Sequence, residues 1–360
     1  MIGQTDISWA WPWWTTMVII NIGNLIVAMI VYKKSLKFKD EKDPVYLKRM
    51  RIMGAIVVIV SLYRAIFVSQ YGSQLAWFDS IANSALLIRL FASVAEVSFS
   101  GLFALAILKF NTYLPAKEGL RDNKFKLFIT TKTPYVLITC IIISQFVDTF
   151  GVITKHVLAN AIVETLWSIG FLAILPLAIL QLRRVLRIKD KEKTRQLLML
   201  KKSAIIIVSW CLIYCLYGLV FHLPGIWSNT IYLLETGIPP IKTGINAIIE
   251  AFTVVNETKL YSDWGFGFLL WHSAYFSICT WISIFLMQAP RPRDFRRKYN
   301  PKINLMTVIL IIIALITLLT LLGLPAEFDD ILVILVLGGI VFIPIAFILF
   351  LEIKDSKSKA

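Results

Sequence analysis

Charged side chains are scarce in this sequence: Asp, Glu, Lys and Arg make up 16% of 360 residues, where soluble domains carry about a quarter. No polar stretch is long enough to fold as a domain by itself, which excludes a soluble catalytic or signalling module as the body of the chain. The four cysteines, Cys140, Cys211, Cys215 and Cys279, all fall inside apolar runs and predict no disulfide framework. Cys211 and Cys215 share a helix face, a placement that buried cysteine fills as a small apolar residue. Histidine is rarer still, at three residues, and none of them forms an HxxxH or HExxH pair. There is no glycine-rich phosphate loop and no Gly-x-Ser-x-Gly. No histidine lies deep enough in a span to ligate heme, and the seventh apolar run, 267–288, has no lysine to carry retinal.

What is present is apolar. Hydrophobic residues reach 58%, with a mean hydropathy of +0.75, and they are gathered in runs of the length that crosses about 30 Å of hydrocarbon as a helix. The expected fold is all-α: a polytopic transmembrane bundle of nine spans at about 14–32, 52–70, 83–108, 134–153, 161–182, 203–221, 267–288, 305–322 and 331–351. Residues 1–290 read as a seven-helix core whose outer loop, 222–263, holds a short amphipathic helix after the prolines of ETGIPP. Residues 291–360 read as two further apolar helices and a basic tail.

The formal charge of +15 invites nucleic acid as a partner, but the position of the cations excludes it. Of 37 Lys and Arg, 32 lie in the alternate connectors 33–51, 109–132, 183–202 and 291–302 and in the tail. By the positive-inside rule those segments are cytoplasmic, the N-terminus is outside and the C-terminus inside. The expected partner is the lipid bilayer, and the expected location is the plasma (cytoplasmic) membrane. Trp9, Trp11, Trp13, Trp14, Trp77, Trp227, Trp264 and Trp271 fall at outer span ends and read as interfacial anchors. The N-terminus carries Asp6, has no basic region and opens into a full-length span, so no cleavable signal peptide is expected.

Against that background, a few ionisable residues stand inside the spans. Arg64, Arg89, Glu96, Asp148, Glu164 and His272 are each costly in hydrocarbon by about 2.5 to 3.5 kcal/mol on insertion scales. At 1.5 Å per residue all six fall in the outer half of the membrane, with Glu96 deepest. Arg89 and Glu96 share a helix face but lie about 10 Å apart along it, and both side chains lean toward the helix N-terminus. The expectation is therefore a network between helices, joining Arg89 and Glu96 to Arg64, Asp148 and Glu164, rather than a direct pair. Two arginines against three carboxylates leave one carboxylate to hold a proton, and Glu96 is the candidate. Asp79, Asp263 and His272 would line the rim, beside Trp167, Trp264 and Trp271.

The order Arg64, FDS (Phe78 to Ser80), Arg89, Ala92, Ala95, Glu96 and Phe99 resembles an uncharacterised family of multi-pass membrane proteins. The likeness continues through ETLW (Glu164 to Trp167), LPGIW (Leu223 to Trp227), DW (Asp263, Trp264), YFS (Tyr275 to Ser277) and WISI (Trp281 to Ile284). It covers residues 50–290, implies a shared seven-helix bundle and supplies no activity. Ile88 stands where that family often has glycine.

Three functional readings follow. The first is a pocket open to the outside, formed by Arg64, Asp79, Arg89, Glu96, Asp148, Glu164, Asp263 and His272, that binds or transports a small polar or amphiphilic solute, an anionic one included. The second is a lipid-acting enzyme at the outer leaflet, with zinc held by His156, His222 and His272 and a carboxylate. The third is a structural, assembly or sensor protein whose charges lock helices together. No cofactor is expected.

Overall fold

A backbone in hydrocarbon has to satisfy its own hydrogen bonds, and this chain does so almost wholly by helix. A computed structural model describes residues 7–36, 44–113, 124–187, 195–237 and 241–289. The spans expected at 305–322 and 331–351 lie outside the described residues. In chain order the elements are α1 (Ile7–Ser35), α2 (Pro44–Ile66), β1 (Ser69–Gln70), β2 (Leu75–Ala76), a 3₁₀ turn (Ile81–Asn83), α3 (Ala85–Tyr113), α4 (Lys124–Thr154), α5 (Val157–Leu186) and α6 (Arg195–Tyr217). A π turn (Gly218–His222), α7 (Leu223–Thr236), α8 (Gly244–Thr253), β3 (Asn256–Glu257), α9 (Tyr261–Trp264) and α10 (Phe266–Leu286) follow.

Among the described residues, six helical segments are long and apolar enough to cross a membrane: Ala10–Ser35, Ala85–Asn111, Thr131–Thr154, Val157–Leu186, Met199–Thr236 and Phe266–Leu286. The sequence reading expects a seventh there, at 52–70. Helix α2 occupies that place and packs against α1, α3 and α10, but Lys48, Arg49, Arg51 and Arg64 leave it without an apolar window of the same quality. The fifth segment is longer than expected. The chain does not leave the helix at residue 221: it widens into the π turn over Gly218–His222 and continues as α7, whose first turn holds Pro224, where a missing N–H costs nothing.

Successive helices α1 to α6 pack on one another in order, and α10 closes against α1, α2 and α3. The main core gathers Phe99, Phe103 and Phe110 of α3, Phe171 of α5, Val208 of α6 and Leu286 of α10. Helices α4 and α5 are joined by Lys155 and His156 alone, and Gly151 lets them approach: a Cβ there would stand 2.5 Å from that of Ala159. Lys155 takes a left-handed backbone (φ 56°), and His156 caps α5 by accepting from the Leu158 N–H at 3.3 Å.

The end of the bundle away from the basic connectors is covered by a small sheet. β1 and β2 pair antiparallel as a hairpin, and β3 adds to β2 in parallel. Beneath it lies an aromatic cluster that alters the expectation for tryptophan. Trp13, Trp77 and Trp264 are buried: Trp77 stacks on Trp14 at 5.6 Å, with Trp264 at 6.2 Å and Trp13 at 6.4 Å. Trp13 donates to Ser273 at 2.9 Å and Trp14 to the Ile66 carbonyl at 3.0 Å, tying α1 to α10 and α2. Trp11 and Trp271 stay part-exposed, at 39% each, as anchors would, although Trp11 also meets Trp77 edge-on and Trp271 stacks on Tyr275. Tryptophan falls at span ends in either role, so position in the chain does not separate a belt from a core.

The amphipathic helix expected in the outer loop is α8. It lies across α3 and α4, burying Ala247 and Ala251 and leaving Ile245, Ile248 and Ile249 exposed. Lys155 and Lys242 both pair with its Glu250, the former at 3.2 Å, and the Lys242 N–H donates to the Thr154 carbonyl at 3.0 Å.

Candidate binding site

The charges within the helices sit near the sheet-covered end. Arg89 lies in the second turn of α3 and Asp148 in the last two turns of α4, so antiparallel packing of α3 on α4 brings them level. Arg89 is buried, with its side chain 3% exposed. Nη2 of Arg89 donates to Glu96 Oε2 at 2.7 Å and to Gln145 Oε1; Nη1 donates to Asp148 Oδ2. Gln145 is turned toward the guanidinium because its own Nε2 donates to the Ile141 carbonyl and to Ser144 Oγ, both at 3.0 Å. Ser93 Oγ lies 3.4 Å from Nε and Nη2.

The expected exclusion of a direct Arg89–Glu96 pair is thus incorrect. Lean toward the N-terminus belongs to the Cα–Cβ bond, while the longer arginine chain folds back along the helix toward Glu96. Asp148 and Gln145 hold the guanidinium in that position from α4. The interhelical half of the expectation, Arg89 with Asp148, is what the structure shows.

Arg64 stands apart. Helix α2 ends at Ile66 rather than 70, which places Arg64 in its last turn. Its side chain makes no ion pair or hydrogen bond among the described residues. It rests on rings instead: Cζ is 4.8 Å from the centroid of Phe276 and 5.7 Å from that of Tyr71. Tyr71, at the tip of the β1–β2 hairpin, also lies 5.9 Å from Cζ of Arg89, and so sits between the two arginines. Its buried hydroxyl has no hydrogen-bond partner among the described residues. Burial pushes the Tyr71 phenol above its ordinary pKa, against the opposing pull of Arg64 and Arg89. It is a neutral donor at any working pH.

The other residues expected at the site are distributed around it. His272 is buried beneath Trp13, Phe268 and Phe276, 5.3, 5.6 and 4.3 Å away, and its Nδ1 has no partner among the described residues. Glu164 belongs to a second group: it accepts from the Tyr214 hydroxyl at 3.3 Å and faces His222 Nε2 at 3.4 Å, beside the π turn. Asp263 accepts from the Thr258 hydroxyl at 2.5 Å on the outer cap, and Asp79 is exposed in the bend after β2. Trp167 packs on Phe171 and Tyr214, 5.9 Å from each. Neither Asp79 nor Asp263 pairs with a buried arginine. A cavity of about 160 Å³ between α1 and α2, lined by Leu25, Ala28, Ala55 and Met287, holds none of these charges.

His156, His222 and His272 have separate surroundings, and among the described residues no group of three His, Cys, Asp or Glu side chains is placed to hold a metal ion. Chemically, the assembled centre offers one guanidinium matched by two carboxylates, a second guanidinium without a match, and a phenol between them. No family model, curated protein or solved structure matches this chain. Tyr71, Gln145 and Phe276 are functional candidates that sequence reasoning missed. Gln145 had a signal, a polar residue three before Asp148 on one face of an apolar helix; Tyr71, in a loop, had none.

Proposed function

We propose that this integral membrane protein binds a small polar or amphiphilic solute at the Arg64–Tyr71–Arg89 centre, and that the bound solute is received from the outer side. The observation that carries the reading is the mismatch between the two arginines. A charge buried without a counter-charge or hydrogen bonds is expensive, and Arg64 is 5% exposed while its neighbour Arg89 holds both carboxylates. A purely structural lock gains nothing from an unmatched cation, whereas a binding site uses it. The proposed topology is nine spans with the N-terminus outside and the C-terminus in the cytoplasm of a plasma membrane, supported by the alternation of basic connectors. Transport is the extension of this reading in which the solute also leaves toward the cytoplasm.

The test is thermal stability of the detergent-purified protein across small anions, cations, sugars and lipids, with Glu96→Gln beside the wild type. A solute that raises the melting temperature of the wild type and has a weaker effect on the variant supports the reading. No shift from any solute would refute it and leave the helix-locking role. Elemental analysis of the same sample addresses the zinc enzyme, which requires stoichiometric metal.

A further inference from the structure

Arg64 lies where three observations meet. Its guanidinium is buried, and among the described residues no carboxylate lies in ion-pair range and no acceptor meets its five N–H groups. The surfaces that touch it are aromatic, Phe276 at 4.8 Å and Tyr71 at 5.7 Å. Two further buried polar atoms at those rings lack partners among the described residues: the Tyr71 hydroxyl, and Nδ1 of His272, whose ring lies 4.3 Å from Phe276. The carbonyls ending α2 compensate a cation in its last turn only in part, and the second carboxylate on Arg89 balances Arg64 only at a distance, across the Tyr71 ring.

We infer that Arg64 anchors a monocarboxylate whose apolar body lies against Phe276 and Tyr71. This rests on the solute-binding reading above and names its ligand class. With both acids ionised, Arg64, Arg89, Glu96 and Asp148 already sum to zero, so a monocarboxylate leaves the centre at −1 and a dianion such as phosphate at −2, which disfavours the dianion. A guanidinium presents two parallel N–H groups at the spacing of a carboxylate's oxygens, and Tyr71, whose ring lies 5.7 Å from Cζ of Arg64, carries an unused hydroxyl donor. Apart from Nδ1 of His272, the rings offer the rest of the ligand only aromatic surface, which favours an aryl or alkyl group. Such an acid can arrive from water as a small aromatic carboxylate or from the outer leaflet as a fatty acid.

The experiment uses the full chain in lipid nanodiscs. Benzoate and oleate are the carboxylate probes, and benzamide, oleyl alcohol and inorganic phosphate are the controls. Benzoate or oleate should raise the melting temperature of the wild type in a saturable manner, with Kd weakened at least tenfold in Arg64→Gln, and the controls should have no effect. Benzoate acting alone places the source in water; oleate acting alone places it in the bilayer. Photolabelling of the wild type with 4-benzoylbenzoate decides the matter even if the variant fails to fold: adducts are expected within 69–76 and 266–286. Equal carboxylate binding by Arg64→Gln, an effect of benzamide or phosphate matching that of benzoate, or adducts confined to other segments would overturn the assignment. A saturable cation or sugar that ignores Arg64→Gln would sink this inference and spare solute binding, while no ligand of any class would sink both.

Discussion

Neutralising the two acids at Arg89 should be far from additive. Arg89 donates to Glu96, Asp148 and Gln145 at once, and the carboxylates are shielded, 12% and 20% exposed, so these are not the weak pairs of a wet surface. In Glu96→Gln the guanidinium keeps Asp148 and the amide oxygen can still accept, so the cost is one charge-assisted bond weakened to a neutral one, about 1 kcal/mol. Asp148→Asn should cost about the same by the same reasoning. The double variant strands a buried cation, the situation that costs about 3 to 5 kcal/mol, so the two changes together should exceed their sum by about 1 to 3 kcal/mol. Arg89→Ala should fall in the same range as the double variant, about 3 to 5 kcal/mol, because it leaves two acids facing each other without a donor. The assay is reversible unfolding in mixed detergent and SDS, followed by tryptophan fluorescence, for the four proteins and the wild type. Single changes that simply add, or an Arg89→Ala no worse than Glu96→Gln, would show that Arg89 is not the shared partner and would refute the reasoning.

Trp77→Ala should destabilise by about 3 to 5 kcal/mol, as for other large buried aromatics, while Trp11→Ala, which loses two edge-on ring contacts at a part-exposed site, should cost about 1 to 2 kcal/mol; the same unfolding assay separates a core from a belt. Gly151→Ala should cost about 1 to 3 kcal/mol, because its Cβ would meet Ala159 at 2.5 Å across α4 and α5; a neutral result would show that the helices part freely. Hydrogen bonds from Lys242, and then from Lys155, hold the Glu250 carboxyl below its usual pKa. A depressed carboxylate stabilises above its unfolded pKa of about 4.3 and loses that contribution as pH falls through its folded value. Acidification below about pH 4 should therefore loosen α8, seen as faster hydrogen exchange over Gly244–Thr253 after correction for intrinsic rates; Glu250→Gln should remove the added pH dependence, and an unchanged profile would contradict the clip.

The extent to which the site was legible depended on the kind of residue. Arg89, Glu96 and Asp148 announced themselves because charge in an apolar helix needs a reason, and depth counted along each helix placed them at one level. Their pairing was misjudged because helix geometry fixes where Cβ points and leaves four arginine torsions undetermined. Arg64 was expected in the network and stands outside it, since the length of α2 moved it from mid-span to a helix end. Tyr71 and the hairpin that carries it left no periodic signal, and two-residue strands fall below what alternation can show. Glu164 was grouped with the others by depth alone, yet helix rotation turns it toward Tyr214 and His222.

By itself, the sequence determined that this is a helical membrane protein, and which helix ends carry the cations, because the cost of polar groups in hydrocarbon acts on each segment separately. Amphipathic α8 and the level of the buried charges follow from that same local energetics, whereas segment length did not: α2 ends at Ile66 and the fifth segment runs on to Thr236. Tertiary structure alone decided which tryptophans are core, that Arg89 takes both acids, and that Arg64 is left with aromatic rings. Those outcomes depend on the rotation of each helix about its axis and on a loop folding back into the bundle, and both are set by packing between segments remote in the chain.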